Sequence, residues 1–131
     1  RHRIATTLVV IDVNGLKAIN DIHGHLAGDM ALCHIADHLL RAFRVTDLIA
    51  RIGGDEFALV LDHAEVGDIE LRMLRFADNL LAEPVDWLGA PLTLTASWGI
   101  TDVRENDSVE TAFDRADSAM YAVRAAQRSD K

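Results

Sequence analysis

The chain has 131 residues, of which 50% are hydrophobic and 26% charged, and its formal net charge is −8. This size and hydrophobic content predict a single globular domain over residues 1–131. The negative charge excludes non-specific nucleic-acid binding, and no apolar run approaches the ~20 residues that span a bilayer, so we expect contact with neither nucleic acid nor membrane. The single cysteine, Cys33, is typical of a protein in the reducing cytoplasm.

The first predicted element is a buried strand over residues 6–13, a β-branched run with Asp12 near its end. A polar segment with three glycines follows. The helical pattern begins at Asp29, whose carboxylate we expect to cap the free N–H groups of the helix. This helix presents one apolar face, formed by Leu32, Ile35, Ala36, Leu39, Leu40 and Phe43.

The middle of the chain predicts a β-hairpin with strands at 47–52 and 57–61. Gly53 and Gly54 lie between these strands and predict a tight turn, since glycine adopts the positive φ that primed hairpin turns need. Asp55 and Glu56 follow directly, although a tight turn does not require two adjacent acids. The pair therefore needs an explanation beyond the turn itself.

The second half of the chain predicts a helix from about 66 to 83, a strand at 91–101 and a last helix over roughly 108–127. The apolar stripes of the two helices are Ile69, Met73, Phe76, Ala77 and Leu80, and Val109, Ala112, Phe113, Ala116, Met120 and Val123. The order β-α-β-β-α-β-α predicts an α/β (α+β) fold of ferredoxin-like type, with a central, mainly antiparallel sheet flanked by helices.

The acids at the ends of two predicted strands form the first candidate site. In a split βαβ sheet the first strand lies beside the hairpin, so Asp12 can meet Asp55 and Glu56 at one end of the sheet. Carboxylates gathered in this way suit Mg²⁺, which prefers oxygen ligands and binds largely through substrate phosphates. A solvated acidic turn beside a strand-end acid is the alternative.

Two other candidate metal sites are weaker. The segment DVNGLKAIND begins like a calcium loop, but Gly15 and Leu16 stand where that loop needs other residues. His34 and His38 have the i, i+4 spacing of zinc ligands, but no third ligand is evident, so we expect them on a solvated helix face. We expect Cys33, between them and the apolar stripe, to be a packing residue.

The last predicted helix carries a polar face formed by Asp117, Tyr121, Arg124 and Arg128. Two arginines near the end of a helix complement the helix dipole, which explains them without any ligand. They also have the charge and spacing of a pair of phosphate clamps. The residues alone leave both interpretations open.

Together these motifs resemble the GGDEF domain family, the diguanylate cyclases that make cyclic di-GMP from two GTP molecules. The resemblance runs through nearly the whole chain, in DVNGLKAIND, GHLAGD, RVTDLIARIGGDEF, TASWGI and ADSAMYAVRAAQR. It implies a sheet like the palm of nucleotidyl cyclases, and a homodimer in which two bound GTP molecules condense with release of pyrophosphate. The alternative within the family is a catalytically silent domain that binds GTP or cyclic di-GMP as a regulatory module.

The resemblance also implies a metal site and its chemistry. Asp12 and Asp55 match the carboxylate ligands of Mg²⁺, with Mn²⁺ as a possible replacement, and the backbone carbonyl of Val13 assists. Glu56 is expected to support the site, and Asp55 or Glu56 to help deprotonate the attacking 3′-hydroxyl.

The substrate-binding positions follow from the same motifs. Asn20 and Asp29 match residues that hydrogen-bond guanine, and Gly53 and Gly54 match the glycines against which the triphosphate lies. The cations at the phosphate-facing positions are Lys17, Arg124 and Arg128.

The family's product-inhibition site has the pattern RxxD, and Arg44 and Asp47 match it, so cyclic di-GMP is expected as an inhibitor as well as the product. The sequence departs from the family at five positions: Leu16 replaces Phe, Asn14 replaces Asp, Arg124 replaces Lys, Gln127 replaces Gly, and Trp98 is a bulky residue for its strand. Family members also carry a helical DxLTxLxNR segment before the first strand, which residues 1–131 do not include. We further expect an attached sensor or regulatory domain.

Overall fold

The computed structural model describes residues 5–43 and 48–129. Their elements, in chain order, are β1 Thr6–Val13, α1 Leu16–His23, α2 His25–Ala42, β2 Leu48–Arg51, β3 Glu56–Asp62, α3 Val66–Ala82, β4 Val85–Trp87, β5 Ala90–Leu92, β6 Ala96–Asp102 and α4 Val109–Ser129. A four-stranded antiparallel sheet has the order β2-β3-β1-β6, and β4 and β5 form a separate small hairpin. The predicted fold class, an antiparallel sheet flanked by helices, is confirmed.

Strand β1 lies in the interior of the sheet and is buried on both faces, which explains its unbroken apolar run. Val9 and Ile11 belong to the larger core, which α2 and α3 cover. Leu8 and Val10 point to the other face, where Ala112 and other residues of α4 pack against them. Strand β1 is therefore held between helices on both faces of the sheet.

The segment between β1 and α2 differs from the prediction. It was expected to be polar and irregular up to Asp29, but it forms helix α1, and α2 begins at His25. Gly24 separates the two helices with a φ of 92°, a conformation that only glycine adopts easily. Asp29 therefore lies one turn inside α2 and does not cap it. Its neighbours Gly24 and Gly28 had concealed a helical pattern in which the core residue Leu16 is buried.

Helix α2 also differs from its predicted apolar stripe. Its inward face passes through Ile35 and Leu39 and includes position 38, so His38 is only 4% exposed whereas Leu40 is 61% exposed. The expectation of a solvated face is wrong for His38, and Cys33 is exposed rather than a packing residue.

The two histidines contact the segment that follows α3. His34 Nε2 lies 2.7 Å from the Glu83 carbonyl oxygen, and His38 Nε2 lies 3.3 Å from Glu83 Oε2. Burial, together with the positive charge of Arg41, lowers the pKa of His38. In residues 5–43 and 48–129 no group of three or more histidine, cysteine or acidic side chains is arranged to hold a metal ion.

Other boundaries agree more closely. Helix α3 ends one residue before its predicted end, and α4 begins one residue after its predicted start. The strand predicted over 91–101 is two elements, β5 and β6, separated by residues 93–95. Val109 and Val123 of the predicted α4 stripe are 78% and 46% exposed, so they do not belong to the buried face of the helix.

Candidate active site

Three acidic residues lie at one end of the sheet. Asp12, near the end of β1, stands directly opposite Glu56, the first residue of β3. The backbone N–H of Val13 donates to the carbonyl oxygen of Asp55 at 2.8 Å, which fixes the end of the hairpin loop against β1. Like charges opposite each other on neighbouring strands are destabilising, so the arrangement is not explained by stability.

The hairpin loop is longer than the predicted two-residue turn. It comprises residues 52–55 and is closed by a hydrogen bond from the Ile52 N–H to the Glu56 carbonyl oxygen at 2.9 Å. Neither Gly53 nor Gly54 has a positive φ, so the primed-turn expectation is wrong. The wider loop bends without left-handed residues.

Arg51 fastens this loop. Its Nε donates to the carbonyl oxygen of Gly53 at 3.1 Å, and its Nη2 donates to that of Gly54 at 2.9 Å. In a trans peptide the C=O and the next N–H point in opposite directions, so the N–H groups of Gly54 and Asp55 face away from Arg51. Within the described residues neither N–H has a hydrogen-bond partner.

Asp12 has one satisfied and one unsatisfied oxygen. Arg124 Nη2 donates to Asp12 Oδ2 at 3.0 Å and to Asn14 Oδ1 at 3.2 Å. Asp12 Oδ1 is buried and has no hydrogen-bond partner among the residues that the structure describes. Burial and the negative charge of Asp55 raise the pKa of Asp12, although the hydrogen bond and charge of Arg124 oppose this.

The same repulsion acts on Glu56. Burial raises its pKa, and the negative charges of Asp117, Asp12 and Asp55 raise it further, while Arg124 opposes the shift. Asp117 lies on α4, so an acid from the last helix joins the three at the end of the sheet. A cation bound here would relieve this excess of negative charge.

The donor set at this end of the sheet fits a hard divalent cation. A buried carboxylate oxygen without a donor, the nearby carboxylate of Asp55 and backbone carbonyls are the oxygen ligands that Mg²⁺ takes. Only two carboxylates would contribute directly, which is consistent with the absence of a three-residue metal cluster in the described part of the chain. The remaining ligands would come from water and substrate phosphates.

A groove of about 510 Å³ lies beside the hairpin. It is lined by Asp29, Leu32, Cys33, Ala36, Arg51 and Phe57. Asp29 is exposed at this groove, and Asn20 lies on the adjoining helix α1 with its Oδ1 buried and, within the described residues, without a partner. Asp29 and Asn20 therefore lie on neighbouring helices, with Asp29 in the same groove as the loop-fastening Arg51.

The remaining predicted site residues are placed as follows. Lys17 is exposed in the first turn of α1, and Arg124 contacts Asp12 and Asn14. Arg128 lies in α4, but its side chain is outside the described part, and Arg44 and Asp47 lie outside the described residues altogether.

Arg51 and Asn14 are site residues that sequence reasoning missed or undervalued. Arg51 directly precedes the hairpin loop, which was a signal, but its bonds to two loop carbonyls depend on a side-chain path that spacing does not reveal. Asn14 was treated only as a departure from a family pattern. It accepts from both Arg124 and Ser97, and so joins α4 to β6 at the site.

Comparison with known proteins identifies the class. Residues 1–130 match the family described as "Diguanylate cyclase, GGDEF domain", and the chain therefore belongs to the GGDEF domain family. It is 42% identical to the diguanylate cyclase DgcP of Pseudomonas aeruginosa over 98% of this chain and 19% of that protein. It is 35% identical to the diguanylate cyclase TpbB of the same species over 99% of this chain and 30% of that protein.

A solved structure gives the same result. The diguanylate cyclase SiaD of Pseudomonas aeruginosa, in complex with its activator SiaC, superposes with a TM-score of 0.86 and 31% identity over 93% of this chain and 47% of that chain. The chain spans less than a third of the length of either curated relative. None of the helices that the structure describes has the length and apolar character needed to cross a membrane.

Proposed function

We propose that this domain is an active diguanylate cyclase that condenses two GTP molecules into cyclic di-GMP and pyrophosphate. The observation that carries the proposal is the acidic end of the sheet, where Asp12 keeps a buried oxygen without a donor beside the charge of Asp55. An acidic cluster that serves only as surface would be solvated. Membership of the GGDEF family and the relatives named diguanylate cyclases support the reaction class.

Asp12, Asp55 and the Val13 carbonyl would hold Mg²⁺, or Mn²⁺ in its place. When bound, the ion neutralises phosphate charge and lowers the pKa of a coordinated hydroxyl. Glu56 supports this site, and Asp55 or Glu56 accepts the proton of the attacking 3′-hydroxyl.

The phosphates lie against the hairpin loop. The unpartnered N–H groups of Gly54 and Asp55 face away from Arg51 and can donate to phosphate oxygens, and a Cβ at Gly54 would meet nothing within 4 Å, so the loop is open to a ligand. Lys17, Arg124 and Arg128 supply positive charge. Arg124 balances Asp12 when no phosphate is present.

The guanine base lies between α1 and α2. Asn20 and Asp29 have the amide and carboxylate groups that pair with the hydrogen-bonding edge of guanine. A site of this kind disfavours adenine, because its polar groups would then be left unpaired.

The active assembly is a homodimer. Each domain binds one GTP, and each 3′-hydroxyl attacks the α-phosphate of the other molecule, so the two-fold symmetry of the product requires an isologous pair of domains. Cyclic di-GMP is also the proposed inhibitor, bound at Arg44 and Asp47. We place the domain in the cytoplasm, attached to a sensor or regulatory domain in the full protein.

The test is incubation of the protein with GTP and Mg²⁺, followed by mass spectrometry for cyclic di-GMP, with Asp55→Ala as the matched inactive control. We expect product from the wild type alone. The alternative is a catalytically silent module that binds GTP or cyclic di-GMP. It would bind GTP without turnover even when a longer chain is assayed, and that result would overturn the proposal.

A further inference from the structure

Gly28 of α2 lies against the side chain of Asn20 of α1. A Cβ built on Gly28 would overlap Asn20 Oδ1 and would lie 2.8 Å from Asn20 Cγ, closer than real Cβ atoms come to their neighbours. The φ of Gly28 is not positive, so the backbone does not require glycine. A side chain at this position therefore requires the Asn20 carboxamide to move from where it lies.

Glycine is otherwise a poor choice here. It lies inside a helix of 18 residues, where alanine is favoured because glycine loses more backbone entropy on folding. Gly67, inside α3, provides the contrast, because a Cβ there would meet nothing within 4 Å. The two helical glycines therefore differ in the one property that matters, the space around them.

The Asn20 carboxamide that Gly28 admits is not used by the protein. Its Oδ1 is buried and has no hydrogen-bond partner in the described residues, while its backbone oxygen accepts the N–H of Gly24 at 2.8 Å. A buried acceptor left without a donor is unfavourable, so an amide held in this position is explained by a ligand that supplies one.

We infer that Gly28 determines nucleotide specificity by holding the Asn20 carboxamide against α2, in the position where it meets the base. The inference rests on the proposed function, since it takes the ligand to be a guanine nucleotide. Gly28 makes no contact with the base itself and is a positioning residue. A Cβ at this position would turn the carboxamide away and leave the base edge unpaired on that side.

The test compares Gly28→Ala with wild type by calorimetry, using the α,β-methylene analogues of GTP and ATP, which lack the bond that turnover breaks. We expect Gly28→Ala to weaken binding of the GTP analogue by about threefold to tenfold, the effect of one lost hydrogen bond, and to leave the ATP analogue unchanged. Gly67→Ala is the matched control and should change neither affinity. Equal weakening of both nucleotides, or no change in their ratio, would overturn the inference.

A double-mutant comparison keeps the inference testable if Gly28→Ala folds poorly. Removal of the Asn20 side chain removes the clash, so Asn20→Ala and Asn20→Ala/Gly28→Ala should show the same ratio of GTP to ATP affinity. A lower ratio in the double variant would show that Gly28 acts by another route and would overturn the inference. Cyclase activity is measured separately, so a longer chain that still prefers GTP but forms no product contradicts the proposed function and not this inference.

Discussion

Two arginines of helix α4 each pair with an aspartate outside the helix, and the two pairs differ in how completely their hydrogen bonds are satisfied. Near its start, Arg115 Nη2 contacts Asp107 Oδ2 at 2.6 Å, and near its end Arg124 Nη2 contacts Asp12 Oδ2 at 3.0 Å. The residue types are the same and both pairs fix α4 to neighbouring segments. Their surroundings give the two aspartates opposite pKa shifts.

The Arg115–Asp107 pair is satisfied on every side. Arg115 also donates to the Thr101 hydroxyl and to the Asp102 carbonyl oxygen, each at 2.6 Å. Asp107 accepts from the Arg104 backbone N–H at 2.7 Å. The hydrogen bonds from Arg115 and Arg104 lower the pKa of Asp107 to about 2, so this pair is a fastening between the end of β6 and the start of α4.

The Arg124–Asp12 pair is incomplete. One Asp12 oxygen has no donor among the described residues, and the pKa of this carboxyl is raised in spite of the arginine. An arginine–aspartate pair is therefore a stabilising contact near the start of α4. Near the end of α4, a pair of the same residue types leaves one carboxylate oxygen available to a ligand. The number of donors and the charges of the neighbours distinguish the two, and the type of residue does not.

The largest expected effect comes from removing the charge of the incomplete pair. Asp12→Asn keeps the shape of the side chain and an oxygen for Arg124, but loses the anionic ligand. We expect cyclase activity to fall by about a hundredfold or more, while the thermal midpoint stays the same or rises because the repulsion from Asp55 is relieved. Product formation by mass spectrometry and a melting curve measure both. Activity close to that of wild type would contradict the role given to Asp12.

A second prediction concerns Arg51, which lies at the site and whose hydrogen bonds to the hairpin loop are already formed within the protein. Arg51→Lys places one ammonium where the fork of the guanidinium bonds two loop carbonyls, so the peptide planes of Gly53 and Gly54 are no longer both fixed. We expect kcat/KM for GTP to fall by about tenfold to a hundredfold. Arg41→Ala, at an exposed arginine of α2, is the control and should leave kcat/KM unchanged. A normal kcat/KM in Arg51→Lys would show that the loop holds its conformation unaided.

Much of the fold was predictable because its strongest patterns are local. The bounds of β1 were predicted as observed, since an unbroken apolar, β-branched run with Asp12 near its end is typical of a buried strand. Helix α3 was predicted to within one residue because its apolar stripe is regular. Helix α1 and the start of α2 were missed, because Gly24 and Gly28 were taken as helix breaks. Gly24 instead forms the corner between the two helices, and Gly28 lies within α2 in close contact with Asn20.

The candidate site was predictable in composition and not in arrangement. The order of Asp12, Asp55 and Glu56 along the chain suggested that they meet at one end of the sheet. Three features of the site depend on side-chain positions that are set by packing between distant segments. They are the Asp12 oxygen without a donor, the pairing of Arg124 with Asp12, and the hydrogen bonds from Arg51 to the hairpin loop. Sequence spacing carries no information about them.

The third prediction breaks the satisfied pair. Arg115→Lys loses the fork that joins Thr101, Asp102 and Asp107, and leaves their oxygens with fewer donors. We expect the thermal midpoint to fall by several degrees and kcat/KM for GTP to change little once the protein is folded. Arg104→Ala, which loses only an exposed contact to Asp102, should shift the midpoint less. A large fall in kcat/KM with little change in the thermal midpoint would instead assign Arg115 to the active site.

The smallest effect is the pH dependence of stability, and here the two pairs differ in sign. The pKa of Asp107 is about 2 in the folded protein against an ordinary 3.8, so its contribution is complete above pH ~4 and is lost as the pH falls toward 2. The pKa of Asp12 is raised, so its charged form opposes folding, and protonation relieves this as the pH falls toward 3.8. Unfolding by urea in metal-free buffer, measured between pH 6 and 2.5, tests both. Asp107→Asn should flatten the acid limb below pH ~4, whereas Asp12→Asn should gain stability at pH 6 relative to wild type and lose that gain at lower pH. If the free energy of unfolding depended on pH in the same way in both variants, the opposite roles given to the two aspartates would be wrong.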